Sequence, residues 1–394
     1  MAQLAGVNIE KLQGGLERQA LGTDDHVAMI LTGMAETALH DAVNNSGQGV
    51  VVRSVYDAEQ LGFNESFDAN ESVNYYDQIV EFFRLAPDAT LYLFSTDDIE
   101  EITGFLNANK DIKGYAVDFI GEESENKLEA TDLGNHQTII DNLAAENRLI
   151  DFAVICVSNH LPAMDDLFEL ECPNVSVSLA CEKADGLASI GSLLGMLAVR
   201  KVSENLGSVD IEQKPLQSRG GRDYPLTNAS LGRWLDSFLP DGSSISAMEK
   251  TQLKSLIEKG YIVAASYEGY PGFFFENSYT AVEQTSDFAF IENNRVWNKA
   301  ARIIRETLLP RVKSKVKKDP TTGYIASTTV SYWQTLLEKN LNRMVVEDDI
   351  SGFKVSIDHK QIVNSTQPVK VKALIVADGI VHEFEVAVGL TNNV

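Results

Sequence analysis

Apolar positions in the first half of the chain fall into short β-rich runs separated by stretches of helical spacing. Residues 26–31, 50–56, 90–95, 115–120, 152–157 and 175–179 read as strands. Between them, 72–85, 98–108, 135–147 and 161–170 place their apolar residues on one helical face. This alternation predicts a layered α/β domain with a mostly parallel sheet. An apolar helix over 185–202 follows, in which Gly191 and Gly195 permit close packing against a neighbour. Its longest apolar run, residues 187–199, is too short to cross a bilayer.

Residues 203–260 are less regular, with a loop at 218–222 and helical patterns at 227–238 and 246–259. Thr227 or Asn228 suits the cap of the first of these. A strand over 261–267 and a Gly-Tyr-Pro-Gly turn at 269–272 precede the aromatic run Phe273-Phe274-Phe275.

The last quarter has the clearest pattern. A helix is predicted over 292–318, with Trp297, Ala300, Ala301, Ile304 and Leu308 on an apolar face. Arg295, Lys299 and Arg302 line another face with positive charge. A second helix at 328–345 leads to strands at 353–357, 369–377 and 380–388. Asp378-Gly379 is a two-residue hairpin signal between the last two strands. In that register Val369, Val371, Ala373 and Ile375 face Val388, Val386, Phe384 and His382, and Lys372 meets Glu385. Such a sheet keeps open edges that accept a strand from another chain.

Residues 1–25 differ from all of this. Gly6, Gly14, Gly15 and Gly22 interrupt a thin scatter of apolar residues, too few to hold the segment in place by themselves. The expected organisation is an N-terminal arm at 1–25 and an α/β domain at 26–260, irregular over 203–260. A smaller α+β domain at 261–379 and a C-terminal strand or arm at 380–394 complete it.

Charge sharpens this picture. The 394-residue chain carries a net charge of −24, yet 15 of its 33 Lys and Arg and only 10 of its 57 acids lie in 295–394. That segment therefore stands near +5 and the rest near −29. A chain divided in this way attracts copies of itself, which points to assembly. The overall acidity argues against nucleic acid as a main partner. Cys156, Cys172 and Cys181 lack CxxC spacing, so no disulfide framework is implied and a reducing cytoplasm fits. The first 15 residues do not have the layout of a signal peptide.

Candidate chemistry is thin. No G-x-S-x-G, phosphate-loop or H-E-x-x-H string is present. Gly186 to Gly191 lacks the middle glycine of a dinucleotide loop and reads as helix packing. Cys156, His160, Cys172 and Cys181 match no common zinc spacing. The acid clusters at 97–101, 122–125 and 347–349 lack the pattern of a calcium loop, and the first suits a helix N-terminus. No catalytic residue, cofactor or metal is expected. Phe273–Phe275 with Tyr279 reads as a buried strand at a domain join.

The block at 287–305, DFAFIENNRVWNKAARIIR, resembles the C-terminal signature of the tail sheath proteins of contractile phages and related contractile injection systems. The second helix and terminal strands after it, the Gly191–Gly195 helix and the glycine-rich N-terminal arm are similar to that family as well. The resemblance implies a non-enzymatic subunit that stacks as hexameric rings in a helix around an inner tube, between baseplate and terminator proteins. It implies no direct membrane insertion, and a place in the bacterial cytoplasm as part of a tail or injection particle. Its arms would add strands to neighbouring subunits. On this sequence the N-arm candidates are Val7, Ile9, Leu12 and Leu16, and the C-arm candidates are Phe384, Val386 and Val388. Arg295, Lys299, Arg302, Lys313, Lys315, Lys317 and Lys318 are the expected charged contact with the tube or a neighbour. The competing readings are a ring or adaptor protein at a sheath end, and an α/β enzyme with an oligomerisation tail. The enzyme reading predicts perturbed titratable groups in a polar pocket at the strand C-terminal ends.

Overall fold

The computed structural model of the protein describes residues 24–121, 127–162, 166–209, 226–364 and 368–382. Its centre is a six-stranded sheet in the order β2-β3-β1-β4-β5-β6. The strands are β1 (His26–Leu31), β2 (Val50–Val52), β3 (Thr90–Ser95), β4 (Gly114–Ile120), β5 (Phe152–Ser158) and β6 (Val175–Ser178). All neighbours pair in parallel except the edge strand β2, which runs antiparallel to β3. This is the mostly parallel α/β sheet expected from the alternation of elements.

Continuous apolar runs make these strands, because both faces of the sheet are covered. Val27, Met29 and Leu31 of β1 join a first core, packed under helices α4 (Tyr75–Leu85) and α7 (Ile190–Val199). Ala28 and Ile30 point the other way, into a second core under α5 (Ile99–Ala108) and α6 (Ala130–Ala145). The remaining helices on this body are α1 (His40–Asn44), α2 (Val55–Leu61), α3 (Glu65–Glu71) and α8 (Lys250–Glu258).

Local capping explains several shifted boundaries. The strand expected over 50–56 stops at Val52, because Ser54 caps α2 by accepting from the Asp57 amide. Helix α6 starts earlier than residue 135, at a capping box between Glu129 and Asp132. Of the helix expected over 161–170, the described residues carry a 3-10 turn at Leu167–Glu169, capped by Asp166. The helix expected over 227–238 is likewise only a 3-10 turn, Ala229–Leu231. Asn228 caps it and Gly232 ends it at φ 67°. Arg233 ties this irregular region to the body, reaching Asp77, Glu81 and Glu182 at 2.8, 3.3 and 3.1 Å.

Strands β7 (Ala264–Tyr267) and β8 (Tyr270–Phe275) form an antiparallel hairpin. Ala264 and Phe273 to Phe275 enter the first core, while Val263 and Ala265 enter the second. These residues therefore belong to the α/β body, although the sequence pattern suggested a new domain from residue 261. The third core is built instead on helix α9 (Ile291–Leu308), helix α10 (Ser327–Val346), β9 (Gly352–Ser356) and β10 (Lys372–Val376).

Helix α9 ends well before residue 318. Pro310 has no amide to continue it, and a 3-10 turn at Leu309–Arg311 closes it. Strand β10 pairs with β9 in antiparallel register, Ala373 opposite Val355 and Ile375 opposite Phe353. The hairpin expected at Asp378-Gly379 is not formed by the described residues: 380–382 carry no strand, and Ser351 Oγ donates to Asp378 Oδ1 at 2.5 Å. His382, expected opposite Ile375, stacks on Phe290 with ring centroids 5.0 Å apart. Among the described residues no helix is long and apolar enough to cross a membrane.

Candidate assembly site

Helix α9 has two faces with different chemistry. Val296, Ala300, Ile303, Ile304 and Leu308 pack toward Leu337, Leu341 and Met344 of α10. Trp297, expected on the apolar face, is half exposed and meets Phe288 edge-on.

The opposite face is polar and lies against the N-terminal ends of the sheet strands. Asn298 Nδ2 donates to Asp151 Oδ1 at 2.9 Å, just before β5, and Asn294 Nδ2 donates to the Pro173 carbonyl at 2.7 Å, just before β6. Arg302 forms a bidentate pair with the buried Asp151, at 2.8 and 3.2 Å. Arg295 is only 1% exposed and donates to the Leu197 carbonyl at 3.0 Å, in the last turn of α7. A cation there complements the negative end of the helix. Lys299 binds acids from both parts of the molecule: Asp24 at 2.8 Å, Asp349 at 2.6 Å and Glu347 at 3.3 Å. Although burial opposes its charge, these acids hold the ammonium pKa above its ordinary value.

Arg295, Lys299 and Arg302 are thus engaged within the chain, and the expectation that they meet a tube or neighbour is corrected. The polar stripe is an internal bolt between the sheet and the third core. The signal for it was present in the sequence, because Asp24 and Asp151 stand within two residues of the start of apolar strands. Lys313, Lys315, Lys317 and Lys318 do lie exposed beyond the end of the helix, with Lys318 Nζ on the Val363 carbonyl at 3.1 Å. Val7, Ile9, Leu12, Leu16, Phe384, Val386 and Val388 lie outside the described residues.

The C-terminal sheet presents a second surface. Val369, Val371, Ala373 and Ile375 turn to the third core, whereas Leu374 and Val376 on the other face are 50% and 57% exposed. Val346, at the end of α10, is 77% exposed. On the opposite side, Gln334, Glu338 and Asn342 of α10 with Phe353 and Val355 of β9 line a groove of about 660 Å³.

The strand C-terminal ends hold a buried polar cluster. Ser158 Oγ donates to Asp118 Oδ1 at 2.7 Å, Thr32 Oγ1 donates to the Asp118 carbonyl at 2.6 Å, and the Tyr75 hydroxyl donates to the Thr32 carbonyl. Burial raises the Asp118 carboxyl to about 6, against the hydrogen bonds from Ser158 and Tyr75. Asp118, Ser158 and Tyr75 are each at most 2% exposed, so the cluster is closed to solvent and its members satisfy one another. It braces three strand ends rather than presenting groups to a substrate. Among the described residues no group of His, Cys, Asp and Glu could hold a metal ion. Asp98 caps α5, as the first acid cluster suggested, and all three cysteines are buried and free.

The N-terminal domain of the DUF2586 family matches residues 4–279, and its C-terminal domain matches 287–394. The chain belongs to the DUF2586 family. The interval between the two matches falls just ahead of α9, where the third core begins. Among solved structures, the DUF2586 chain is similar to the PVC sheath complex of an extracellular contractile injection system in the contracted state. The identity is 14% and the TM-score 0.56, over 100% of this chain and 99% of the other. It is also similar to the baseplate of the anti-feeding prophage, 6-fold symmetrised, at 12% identity and TM-score 0.55, over 99% and 100% of the two chains. The contracted-state baseplate of the same prophage gives 11% and 0.52, over 100% and 99%. The fold is therefore the one carried by chains of these contractile assemblies, as the resemblance at 287–305 implied. No protein of curated function matches this DUF2586 member in sequence.

Proposed function

We propose that this DUF2586 member is a structural subunit of a contractile tail sheath. It polymerises as stacked rings in a helix around an inner tube, between baseplate and terminator components, and contracts to drive the tube through a target envelope. The observation that carries this reading is the likeness to the PVC sheath complex along nearly the full length of both chains. The half-exposed Leu374 and Val376, the bared Val346 and the exposed lysines after α9 supply surfaces for contacts that do not close on one subunit. Val7, Ile9, Leu12 and Leu16 of the N-arm, and Phe384, Val386 and Val388 of the C-arm, would add strands to neighbours' sheets. Lys313, Lys315, Lys317 and Lys318 would meet an acidic surface of the tube or of the next subunit. Contraction would be a switch between two packings of nearly rigid subunits. The subunit would act without catalysis or cofactor, in the producing bacterium's cytoplasm and then within the particle.

Electron microscopy of the purified full chain tests this. Long striated tubes are expected; compact monomers under every condition would overturn it. Similarity to two baseplate structures favours, as a second reading, a ring at a sheath end. Single rings without tubes would select it.

A further inference from the structure

Asp24 and His382, far apart in sequence, both rest on helix α9. At the N-terminal side, Asp24 is held by Lys299 at 2.8 Å, and its carbonyl accepts from Arg295 at 3.4 Å. At the C-terminal side, His382 stacks on Phe290, the residue that caps the same helix, at an interplanar angle of 23°. Phe290 stacks in turn on Tyr279, and Tyr279 meets Phe168 edge-on, so the His382 ring ends a column rooted in the α/β body. Next to Phe290, the buried Glu292 accepts from Ser278 Oγ at 2.5 Å and Asn205 Nδ2 at 2.8 Å, which fixes the start of the helix. Lys299 follows Glu292 by two helical turns, about 10 Å along the axis.

We infer that helix α9 is a common anchor that sets the exit points of the two terminal segments at a fixed separation, one gripped by charge and the other by stacked rings. A pull on either segment reaches the same rigid rod, and through its polar face the strand ends beside Asp151 and Pro173. The two grips are chemically independent, so each can be loosened alone. The inference rests on the reading of the terminal segments as arms. Tube formation tests that reading, whereas the anchor is tested in the isolated subunit, and the two can fail separately.

The test is a pulsed electron-spin distance measurement on the full, unassembled chain labelled at Asp25→Cys and Val381→Cys. Cys156, Cys172 and Cys181 are buried and do not compete for label. A narrow distance distribution is expected, widened by Lys299→Met and separately by Phe290→Ala. A reference pair at Gln60→Cys and Asn142→Cys should stay narrow in both. If Lys299→Met also widens the reference pair, Asp24→Asn loosens the same grip while leaving Lys299 two other acids. A broad distribution in the otherwise unsubstituted chain would overturn the anchor. So would widths unaffected by both Asp24→Asn and Phe290→Ala.

Discussion

Gly191 of α7 lies directly on the backbone of Gln78 in α4: a Cβ built on it would sit 1.8 Å from the Gln78 carbonyl oxygen. The Gly191 amide also donates to the Gln78 side-chain Oε1 at 2.9 Å, while the missing Cβ lets the two backbones approach each other. Gly195, one turn on, would bring a Cβ to 3.0 Å from Leu85. Gly191→Ala must push the helices apart and is expected to cost about 3 kcal/mol, the upper range for overpacking. Gly195→Ala should cost less, since part of what it meets is side chain. Urea midpoints of the two variants check the order, and equal midpoints would contradict the backbone contact.

The Arg302–Asp151 pair supports a second prediction. Replacing Arg302 with Met leaves Asp151, 1% exposed on its side chain, with Asn298 as a much weaker partner. Removing one member of a buried pair costs about 3–5 kcal/mol. Arg302→Glu should be worse, adding repulsion, and should reduce the yield of folded chain. Folded, soluble Arg302→Glu that fails only in tube formation would show that this arginine faces outward in the assembly.

Asp118 gives a pH dependence. Its folded pKa of about 6 stands above the ordinary 3.8, so the native state binds the proton more tightly than the unfolded chain. Its contribution to stability is fully present below about pH 4 and is lost as the pH rises through 6. Two units correspond to about 3 kcal/mol. Asp118→Asn keeps an acceptor for Ser158 Oγ and should remove this part of the slope. Denaturation midpoints at pH 4 and pH 7 would measure it; the same slope in parent and variant would count against the assignment.

Lys313, Lys315, Lys317 and Lys318 are exposed, and reversing all four to Glu should leave the thermal midpoint almost unchanged, as surface substitutions do. Tube yield should fall, most steeply at low salt, where unlike charges attract most strongly. Light scattering against salt concentration follows this directly. Yields that match the parent at every salt would remove the lysines from the contact.

Leu374→Lys addresses the other surface. The side chain stands on the solvent face of β10, so the isolated subunit should keep its stability within about 0.5 kcal/mol. If a neighbour covers that face, tubes should be lost or shortened. Normal tubes would leave the face uncovered in the assembly.

Much of the α/β body was legible because its strands are buried on both faces. β1 and β3 begin and end where the apolar runs do, since nothing polar interrupts them. Errors arose where a side chain competes with the backbone: Ser54 turned the end of a strand into a helix start, and Asn228 with Gly232 held a helical pattern to one 3-10 turn. The charged face of α9 was legible only in part. Spacing put Arg295, Lys299 and Arg302 on one face, correctly, but spacing alone does not say whether a charged face meets water or buried acids. Their partners lie far away in sequence: Arg295 and Asp24 are 271 residues apart. Of the hairpin at Asp378-Gly379, the described residues 380–382 carry no strand, because Phe290 holds the His382 ring in a stack away from β10.

The two-stranded sheet of β9 and β10 has one more consequence. Short exposed strands are templates for disordered self-pairing, and lysines beside them act as gatekeepers. Lys354 and Lys372 stand exposed on these two strands, with Lys360 and Lys370 on the loops beside them. Two copies meeting edge to edge by chance bring like charges together, so amyloid-like stacking is penalised from the start. The same lysines leave the apolar Leu374 and Val376 face open while guarding the strand edges beside it.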